Sequence, residues 1–210
     1  MKRYSLSSIF TEAFRDNLGW EKAWAKSQLK KEYEVIIVGG GGHGLATAYY
    51  LAKNFNVRDI AVIEKGWIGG GNTGRNTTII RSNYLQESSI GIYEKSRFLY
   101  ETLSQDLNYN IMFSPRGVLM LCQTEHELRA MKRTSHANRI NGVDTKMVTP
   151  DEVKEIVPII NIEGPRFPVL GALWQPRGGT ARHDAVAWGY ARRCSDYGID
   201  IIEQCEVVGV

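Results

Sequence analysis

The sequence predicts an α/β fold, and three neighbouring segments carry that prediction. Residues 35–38 are a β-branched run typical of a strand in a fully covered parallel sheet. A glycine-rich turn occupies residues 39–44, and the apolar residues after it recur at helical spacing to about residue 52. A second apolar run, residues 60–63, supplies the next strand. We therefore expect a β-α-β unit of the Rossmann-like kind.

The turn between the first strand and the helix fits the pattern G-x-G-x-x-G with Gly39, Gly41 and Gly44. These glycines suit a tight turn, close backbone approach to a pyrophosphate and close helix packing, in that order. Glu64 ends the second strand about 20 residues later, where a carboxylate accepts both hydroxyls of a ribose. An acid there favours NAD or FAD over NADP. The alternative is a structural turn with an unrelated surface Glu64.

A long loop follows the second strand, over residues 65–84, and is rich in glycine, asparagine and threonine. This composition suits a segment that wraps a polar ligand, and the alternative is a flexible surface loop. The next segment, residues 85–107, predicts a helix that packs through one apolar face. The residues expected on that face are Ile92, Tyr93, Ser96, Leu99, Tyr100 and Leu103.

The rest of the chain detours through other elements and then returns to a helix and a strand. The expected strands are residues 113–121, residues 169–174, and one or two short strands within residues 199–210. The expected helices are residues 125–141, a segment that starts at Pro150 and stops at Pro158, and residues 184–197. The last strand would join the first two in one sheet. Because nothing follows to complete that sheet, we expect a fragment or truncated product.

These elements predict four segments along the chain. Residues 1–32 form an N-terminal arm, residues 33–110 the first part of a cofactor-binding domain, residues 111–178 part of a substrate domain, and residues 179–210 the incomplete return to the cofactor-binding domain. The sequence of the N-terminal arm predicts a short helix and a break at Gly19. Trp20 and Trp24 pack on their own domain or, alternatively, dock a partner subunit.

Composition excludes several classes of function. The net charge of +3 over 210 residues indicates no nucleic-acid partner, and no apolar run is long enough for a signal peptide or a membrane span. Cys122, Cys194 and Cys205 are too scattered for a zinc site, so no metal is expected. They are typical of reduced thiols with packing roles, and we predict a soluble, cytoplasmic protein.

Four segments together resemble a known family. The chain is similar to the β subunits of heterotetrameric sarcosine oxidases, within the wider family of D-amino-acid-oxidase-like (DAO-type) flavoproteins. The segments that carry the resemblance are residues 35–52, 64–67, 69–84 and 178–188. The resemblance implies a glutathione-reductase/DAO-type FAD-binding Rossmann-like domain with part of a mixed-sheet substrate domain. It also implies that the chain is the N-terminal half of a subunit twice as long, truncated at the C-terminus.

The resemblance further implies noncovalent FAD and a reaction. Sarcosine would be oxidatively demethylated to glycine, and the one-carbon unit would leave as formaldehyde or pass to tetrahydrofolate. Electrons would reach O2 through FMN and give H2O2. The implied FAD contacts are Gly39, Gly41, Gly42, His43, Gly44, Glu64, Lys65, Asn72, Thr73, Arg75, Asn76, Thr77 and Val207. From the sequence alone, His43 is also interpretable as a packing or hydrogen-bonding residue.

Two side chains have individual roles by resemblance. Related amine oxidases place an arginine at the position of Arg81 to bind the substrate carboxylate, whereas a surface ion pair is its ordinary interpretation. Thr78 stands where some relatives have a second arginine, so the flavin environment is expected to differ. His183 matches the histidine that carries FMN covalently, and the alternative is a helix-capping histidine. His126 and His136 are expected on a helix surface.

The implied partners are sarcosine, the α, γ and δ subunits of a heterotetramer, and tetrahydrofolate through the α subunit. Two alternatives remain open from the sequence. The first alternative is a dimethylglycine or other N-methyl amino acid dehydrogenase. The second is a noncatalytic FAD-binding module.

Overall fold

The computed structural model describes residues 5–16, 18–20, 23–24, 27 and 29–209. The helices are α1 (Leu6–Ala13), α2 (Gly42–Phe55), α3 (Glu87–Leu107), α4 (Glu125–Ile140), α5 (Pro150–Ile156) and α6 (His183–Asp196), with a short 3₁₀ helix at Asn72–Arg75. The strands are β1 (Val35–Val38), β2 (Ile60–Ile63), β3 (Ile79–Ile80), β4 (Val118–Cys122), β5 (Lys146–Val148), β6 (Gly171–Gln175), β7 (Gly179–Thr180) and β8 (Asp200–Ile202).

The chain divides into two compact units. The first unit contains the described residues up to Asn76 together with those from His183 onward, and the second unit is Thr77–Arg182. The expected division instead had boundaries after residues 110 and 178. The compact units differ from it because β3 pairs with β7, which joins residues 77–110 to the second unit. The division into functional domains stays a prediction.

The first unit is built on a parallel sheet in the order β1-β2-β8. Val38 of β1 lies opposite Ile63 of β2, and Ile63 lies opposite Ile202 of β8. Helix α2 connects β1 to β2, as the sequence predicts. Leu45, Ala48 and Ala52 of this helix are fully buried. This arrangement places the loop after β1 beside the loop after β2, because parallel strands end at the same edge.

One expectation for this sheet was wrong. β1 is not fully covered, because Ile36 and Val38 are 56% and 63% exposed, whereas Ile37 faces α2. α2 therefore covers one face of β1, and within the described residues the opposite face, with Ile36 and Val38, stays exposed. The strand expected within residues 199–210 is β8, which ends at Ile202 before the chain turns at Gln204, where φ is +57°.

The second unit contains an antiparallel sheet in the order β4-β6-β5 and the two-stranded β3-β7 ribbon. Capping boxes begin α4 at Thr124 and α5 at Thr149, and Pro150 occupies the first position of α5 as predicted. The helix ends before Pro158, which cannot continue it. One core cluster of this unit contains Val148, Val153, Val169 and Ala172.

The predicted packing face of α3 was wrong in part. Ile92 and Tyr93 are exposed, and the buried positions of the helix are Ile90, Arg97, Leu103 and Leu107. The apolar pattern misplaces the face because Arg97, which is 1% exposed, is buried in place of an apolar residue. Two acids make that burial possible, as described below.

The arm and the membrane prediction can be compared with the structure only in part. α1 and the turn at Gly19 are present, and the Gly19 N–H donates to Glu12 Oε2 at 2.7 Å. Trp24 donates from Nε1 to Glu203 Oε2 at 3.3 Å, so it contacts its own unit. Over the described ranges, the structure contains no helix with the length and apolar character needed to cross a membrane.

Candidate functional site

The glycine turn of the first unit has the geometry that its sequence predicts. Gly39 has φ of +108°, a conformation that favours glycine, and its N–H donates to Ile63 O at 2.8 Å. A Cβ at Gly44 would overlap the carbonyl oxygen of Gly39 and lie 3.2 Å from Ile37 Cγ2. The first glycine therefore permits the turn, and the third permits α2 to approach β1 closely.

Backbone donors gather where α2 begins. Gly41 is the N-cap residue, so its own side chain cannot cap the helix. The N–H of Gly42 donates to Thr73 Oγ1 at 2.9 Å. The first helix-type bond of α2 runs from Leu45 N–H to Gly41 O. The N–H groups that precede it point out of the helix end, where the helix dipole favours an anion. This end of α2 suits a phosphate group.

Glu64 lies directly beside the glycine turn. Its Oε2 accepts from the Gly40 N–H at 2.8 Å, and its Oε1 accepts from the Gly66 N–H at 2.9 Å. A Cβ at Gly40 would lie 3.0 Å from Glu64 Cβ and 2.8 Å from Ile68 Cδ1. The two backbone bonds fix the carboxylate next to the turn, and a carboxylate has further lone pairs with which to accept hydroxyl groups.

The loop after Glu64 returns to the same place. The 3₁₀ helix at Asn72–Arg75 brings Thr73 to the glycine turn, and the Asn76 side chain donates to Thr73 O at 2.7 Å. Gly69 N–H donates to Gly40 O at 3.0 Å. The loop is thus ordered against the turn by specific bonds, which favours the ligand-wrapping interpretation over a flexible surface loop.

The remaining predicted FAD contacts differ in exposure. The side chains of His43, Lys65, Asn72 and Arg75 are exposed, and Val207 is half-buried in the segment after β8. Thr77 is exposed and belongs to the second unit. The structure therefore brings together the turn, Glu64 and Thr73, and the roles of the other residues stay predictions.

The residues of the first unit fit a dinucleotide. The start of α2 offers N–H donors for a pyrophosphate, a Cβ at Gly39 would have no atom within 4 Å, and Glu64 offers acceptors for ribose hydroxyls. The fit rests on the first-turn N–H groups of α2, which no carbonyl of the helix accepts and of which only that of Gly42 bonds Thr73 Oγ1 among the described contacts, and on the absence of a side chain at Gly39.

His183 is the first residue of α6 and lies in the first unit. Its side chain is half-buried, and its Nδ1 is buried without a hydrogen-bond partner among the described residues. The neighbouring Asp184 Oδ1 accepts from the Ala185 N–H at 2.9 Å. His126 and His136 are exposed on α4, as the sequence predicts.

Arg81 lies in the second unit, directly after β3, and neutral groups surround it. Its Nη1 donates to Asn83 Oδ1 at 2.7 Å and to Met120 Sδ at 3.7 Å. Its guanidinium carbon lies 4.3 Å from the centre of the Tyr84 ring, which stacks in turn on Tyr93 with ring centres 4.2 Å apart. We call Arg81, Asn83, Tyr84 and Met120 the Arg81 cluster.

No carboxylate within the described part of the chain lies within ion-pair distance of Arg81. Its ordinary interpretation, a surface ion pair, is therefore not what the structure contains. The charge instead faces a tyrosine ring. Burial raises the pKa of Tyr84 despite the opposing effect of the nearby Arg81 charge, so the phenol stays neutral and the ring keeps its cation–π contact.

Two other arginines of the second unit, Arg97 and Arg177, are paired with acids. Arg97 bonds both Glu94 and Glu101, and Arg177 also donates to Glu101 at 2.8 Å. Hydrogen bonds from Arg97 hold the pKa of Glu94 below its ordinary value, and those acids raise the pKa of Arg97. Glu94 also accepts from the Ser82 hydroxyl, which links the partners of buried Arg97 to the residue after Arg81.

Comparison with known proteins assigns the family. Residues 34–210 match the family described as "DAO: FAD dependent oxidoreductase". The chain belongs to this family. Among solved structures, this FAD dependent oxidoreductase is similar to L-proline dehydrogenase from P. horikoshii, at 32% identity and a TM-score of 0.78 over 86% of the chain and 46% of that protein. The glycine oxidase of Geobacillus kaustophilus matches at 26% identity and a TM-score of 0.74, over 83% and 47%. The predicted fold class is confirmed.

Curated relatives match over most of the oxidoreductase chain. It is 66% identical to "Sarcosine oxidase subunit beta" of Rhodobacter capsulatus, over 100% of the chain and 51% of that protein. Proteins of the same name match at 57% identity in Arthrobacter sp, over 90% and 47%, and at 51% in Rhizobium meliloti, over 99% and 50%. The predicted resemblance is confirmed. The chain spans about half the length of the curated relatives it matches.

Sequence reasoning about this FAD dependent oxidoreductase missed several residues that shape its sites. Glu203 accepts from the Ile68 N–H at 2.8 Å and so holds the loop after Glu64. Asn83 and Met120 contact Arg81. The position of Asn83, two residues after Arg81, was the only available signal, because the other contacts join residues that are distant in sequence.

Proposed function

We propose that the protein containing this chain is the β subunit of a sarcosine oxidase. It would demethylate sarcosine oxidatively to glycine, release the one-carbon unit as formaldehyde or pass it to tetrahydrofolate, and send electrons through FMN to O2 to give H2O2. The observation that carries the proposal is the identity of 51–66% to three proteins named sarcosine oxidase subunit beta. The geometry of the two sites supports it independently.

The first unit would hold FAD noncovalently. FAD, when bound, supplies the acceptor for the hydride that leaves the substrate. The N–H groups at the start of α2 would bind the pyrophosphate, Glu64 the ribose, and the loop around Thr73 the region nearer the flavin. The other residues proposed to line this site are Gly42, His43, Lys65, Asn72, Arg75, Asn76, Thr77 and Val207.

Arg81 would bind the carboxylate of sarcosine. A planar guanidinium pairs with a carboxylate through two parallel hydrogen bonds, which fixes the orientation of the substrate. The absence of a competing acid near Arg81 in the described residues leaves that charge available. The role of Arg81 is thus to bind and orient the substrate while other groups carry the chemistry.

Steady-state kinetics of the complete complex test this assignment. We expect Arg81→Ala to raise the KM for sarcosine by about 100-fold, because a charge-assisted bidentate pair contributes roughly 3 kcal/mol. Arg166→Ala removes an exposed arginine of the same unit that stacks on Phe167, and serves as the matched control. An Arg81→Ala enzyme with the KM of the wild type would contradict the carboxylate role.

His183 would carry FMN covalently. Its buried Nδ1 has no hydrogen-bond partner in the described part of the chain, so a ring nitrogen is available for a bond to a ligand. We expect flavin absorbance at about 450 nm to stay with acid-precipitated protein and to be lost in His183→Ala. His136→Ala, on the exposed face of α4, should keep the flavin. Complete release of flavin from the wild type by acid would contradict the covalent attachment of FMN to His183.

The partners would be the α, γ and δ subunits, with tetrahydrofolate reached through the α subunit, in the cytoplasm. Co-purification with a tagged β subunit and cell fractionation test these proposals.

A second candidate function is that of a dimethylglycine or N-methyl amino acid dehydrogenase. It is supported by matches at 23% and 25% identity to proteins named dimethylglycine dehydrogenase. A preference for dimethylglycine and failure to reduce O2 would favour it. FAD binding without turnover in the assembled protein would favour a noncatalytic module.

A further inference from the structure

Arg81 differs from Arg97 and Arg177 in what holds it. Those two arginines bond carboxylates, whereas the polar atoms within reach of Arg81 in the described residues are an amide oxygen and a thioether sulfur. A carboxylate would hold the guanidinium more strongly, but it would also neutralise it. An amide oxygen orients the guanidinium and leaves its net charge in place.

Asn83 is itself fixed by its surroundings. It is 2% exposed, and its Nδ2 donates to Met120 Sδ at 3.3 Å while its Oδ1 accepts from Arg81. The two ends of the amide therefore have different partners, and these partners determine which end faces Arg81. A buried amide with both ends engaged has little freedom to rotate.

The backbone around Asn83 is anchored on both sides. The preceding residue, Ser82, exchanges two hydrogen bonds with Gln175: its N–H donates to Oε1 at 3.0 Å, and its hydroxyl accepts from Nε2 at 2.6 Å. The following residue, Tyr84, accepts through its carbonyl from the Asn138 side chain. The segment is thus held at fixed points on β6 and α4, so Asn83 occupies a rigid position relative to the base of Arg81.

We propose that Asn83 is a positioning residue for Arg81, whose neutral amide orients the guanidinium toward an incoming substrate carboxylate without neutralising it. The inference rests on the proposed function, because it takes Arg81 to be the carboxylate-binding group. Tyr84 supports the same arrangement from the face of the guanidinium through its cation–π contact. The cluster keeps a positive charge ordered and unpaired until an anion arrives.

The decisive variant is Asn83→Asp, which preserves the shape of the side chain and places a carboxylate beside Arg81. The added acid competes with the substrate carboxylate for the same donors. We expect the KM for sarcosine to rise about 10- to 100-fold in the complete flavin-loaded complex, with kcat changed less than about threefold. The kcat/KM for sarcosinamide, which has no carboxylate, should stay within about threefold of the wild-type value.

Two further variants separate this role from a general structural effect. Asn110→Asp adds the same charge to the same unit at an exposed site where Oδ1 accepts from the Met112 N–H, so it is the matched charge control. Asn83→Ala removes the amide without adding charge, and we expect it to raise the KM for sarcosine about 3- to 10-fold. It decides the question if Asn83→Asp does not fold.

The outcomes distinguish the inference from the proposed function. A selective rise in the KM for sarcosine in Asn83→Asp, absent in Asn110→Asp, supports the positioning role. If Arg81→Ala raises that KM but Asn83→Asp and Asn83→Ala do not, the positioning role is refuted and the carboxylate role of Arg81 survives. Equal losses for sarcosine and sarcosinamide would also refute it, because a merely structural residue affects both. If Arg81→Ala leaves KM unchanged, both proposals fall.

Discussion

Gly44→Ala tests whether close packing of α2 on β1 sets the geometry of the cofactor site. A Cβ at this position would overlap the Gly39 carbonyl oxygen and lie 3.3 Å from its carbonyl carbon. The obstacle is backbone in the turn itself, which cannot rotate away as a side chain does. The helix must therefore retreat from the strand by about 1 Å, since packed interiors have no spare volume for the added methyl group.

The magnitude follows from two opposing effects. Overpacking against backbone costs about 3 kcal/mol, at the upper end of its usual range. Replacing glycine by alanine in a helix returns about 1 kcal/mol. We expect Gly44→Ala to be destabilised by about 2 kcal/mol, which lowers Tm by roughly 4 °C or more for a domain of this size.

Gly42→Ala is the matched control for this prediction. It lies in the same turn of α2, but its Cβ would be 3.6 Å from Thr73 Oγ1 and 3.7 Å from Thr73 Cγ2, which are ordinary contacts. Without the cofactor, the Tm of Gly42→Ala should equal the wild-type Tm or be roughly 1–2 °C higher. Circular dichroism measures the unfolding, and flavin absorbance after gel filtration measures FAD retention, which should fall in Gly44→Ala. Equal Tm and equal FAD retention in Gly44→Ala and the wild type would refute the packing argument.

The remaining predictions concern buried groups. Arg97→Met should destabilise the protein by about 2 kcal/mol at pH 7 in urea unfolding, below the usual cost of breaking a buried pair because Glu94 and Glu101 are about a third exposed. The folded-state pKa of Glu94 is depressed, so its contribution is present above the unfolded pKa of about 4.3 and is lost as pH falls through the lower folded value. The difference between Arg97→Met and the wild type should therefore shrink below about pH 4, and a constant difference from pH 7 to pH 3.5 would contradict the ion-pair account. For the thiols, burial raises the pKa of Cys194 to about 12, and Cys122 is also buried with a raised pKa. A maleimide should label half-buried Cys205 before either, as peptide mass spectrometry can check, and faster labelling of Cys194 would show that its burial is wrong.

The sequence predicts the nucleotide half of the site better than the substrate half. β1 and β2 have the predicted bounds, and the turn at Gly39 and the placement of Glu64 follow from local requirements on φ, spacing and strand direction. Such requirements are written in neighbouring residues, so periodicity and glycine spacing reveal them.

The Arg81 cluster illustrates what local patterns cannot reveal. Met120 meets Arg81 across 39 residues of sequence, and Gln175 meets Ser82 across 93. Likewise, α3 buries Arg97 because Glu94 and Glu101, one turn away on either side, satisfy its guanidinium. Apolar periodicity alone predicts that Arg97 faces solvent. Only knowledge of which elements pack together corrects it.

The parallel pairing of β2 with β8 has a consequence for synthesis on the ribosome. β2 cannot pair with β8 until β8 has been synthesised. Ala61 pairs with Asp200, and the whole second unit lies between them in sequence. Roughly 140 residues at about 5–20 residues per second leave one edge of an apolar strand unpaired for about 7 to 30 s. During that interval the edge of Ile60–Ile63 is a template for pairing with other chains. The nascent protein should therefore depend on chaperone protection more than a fold with sequential strand pairing would.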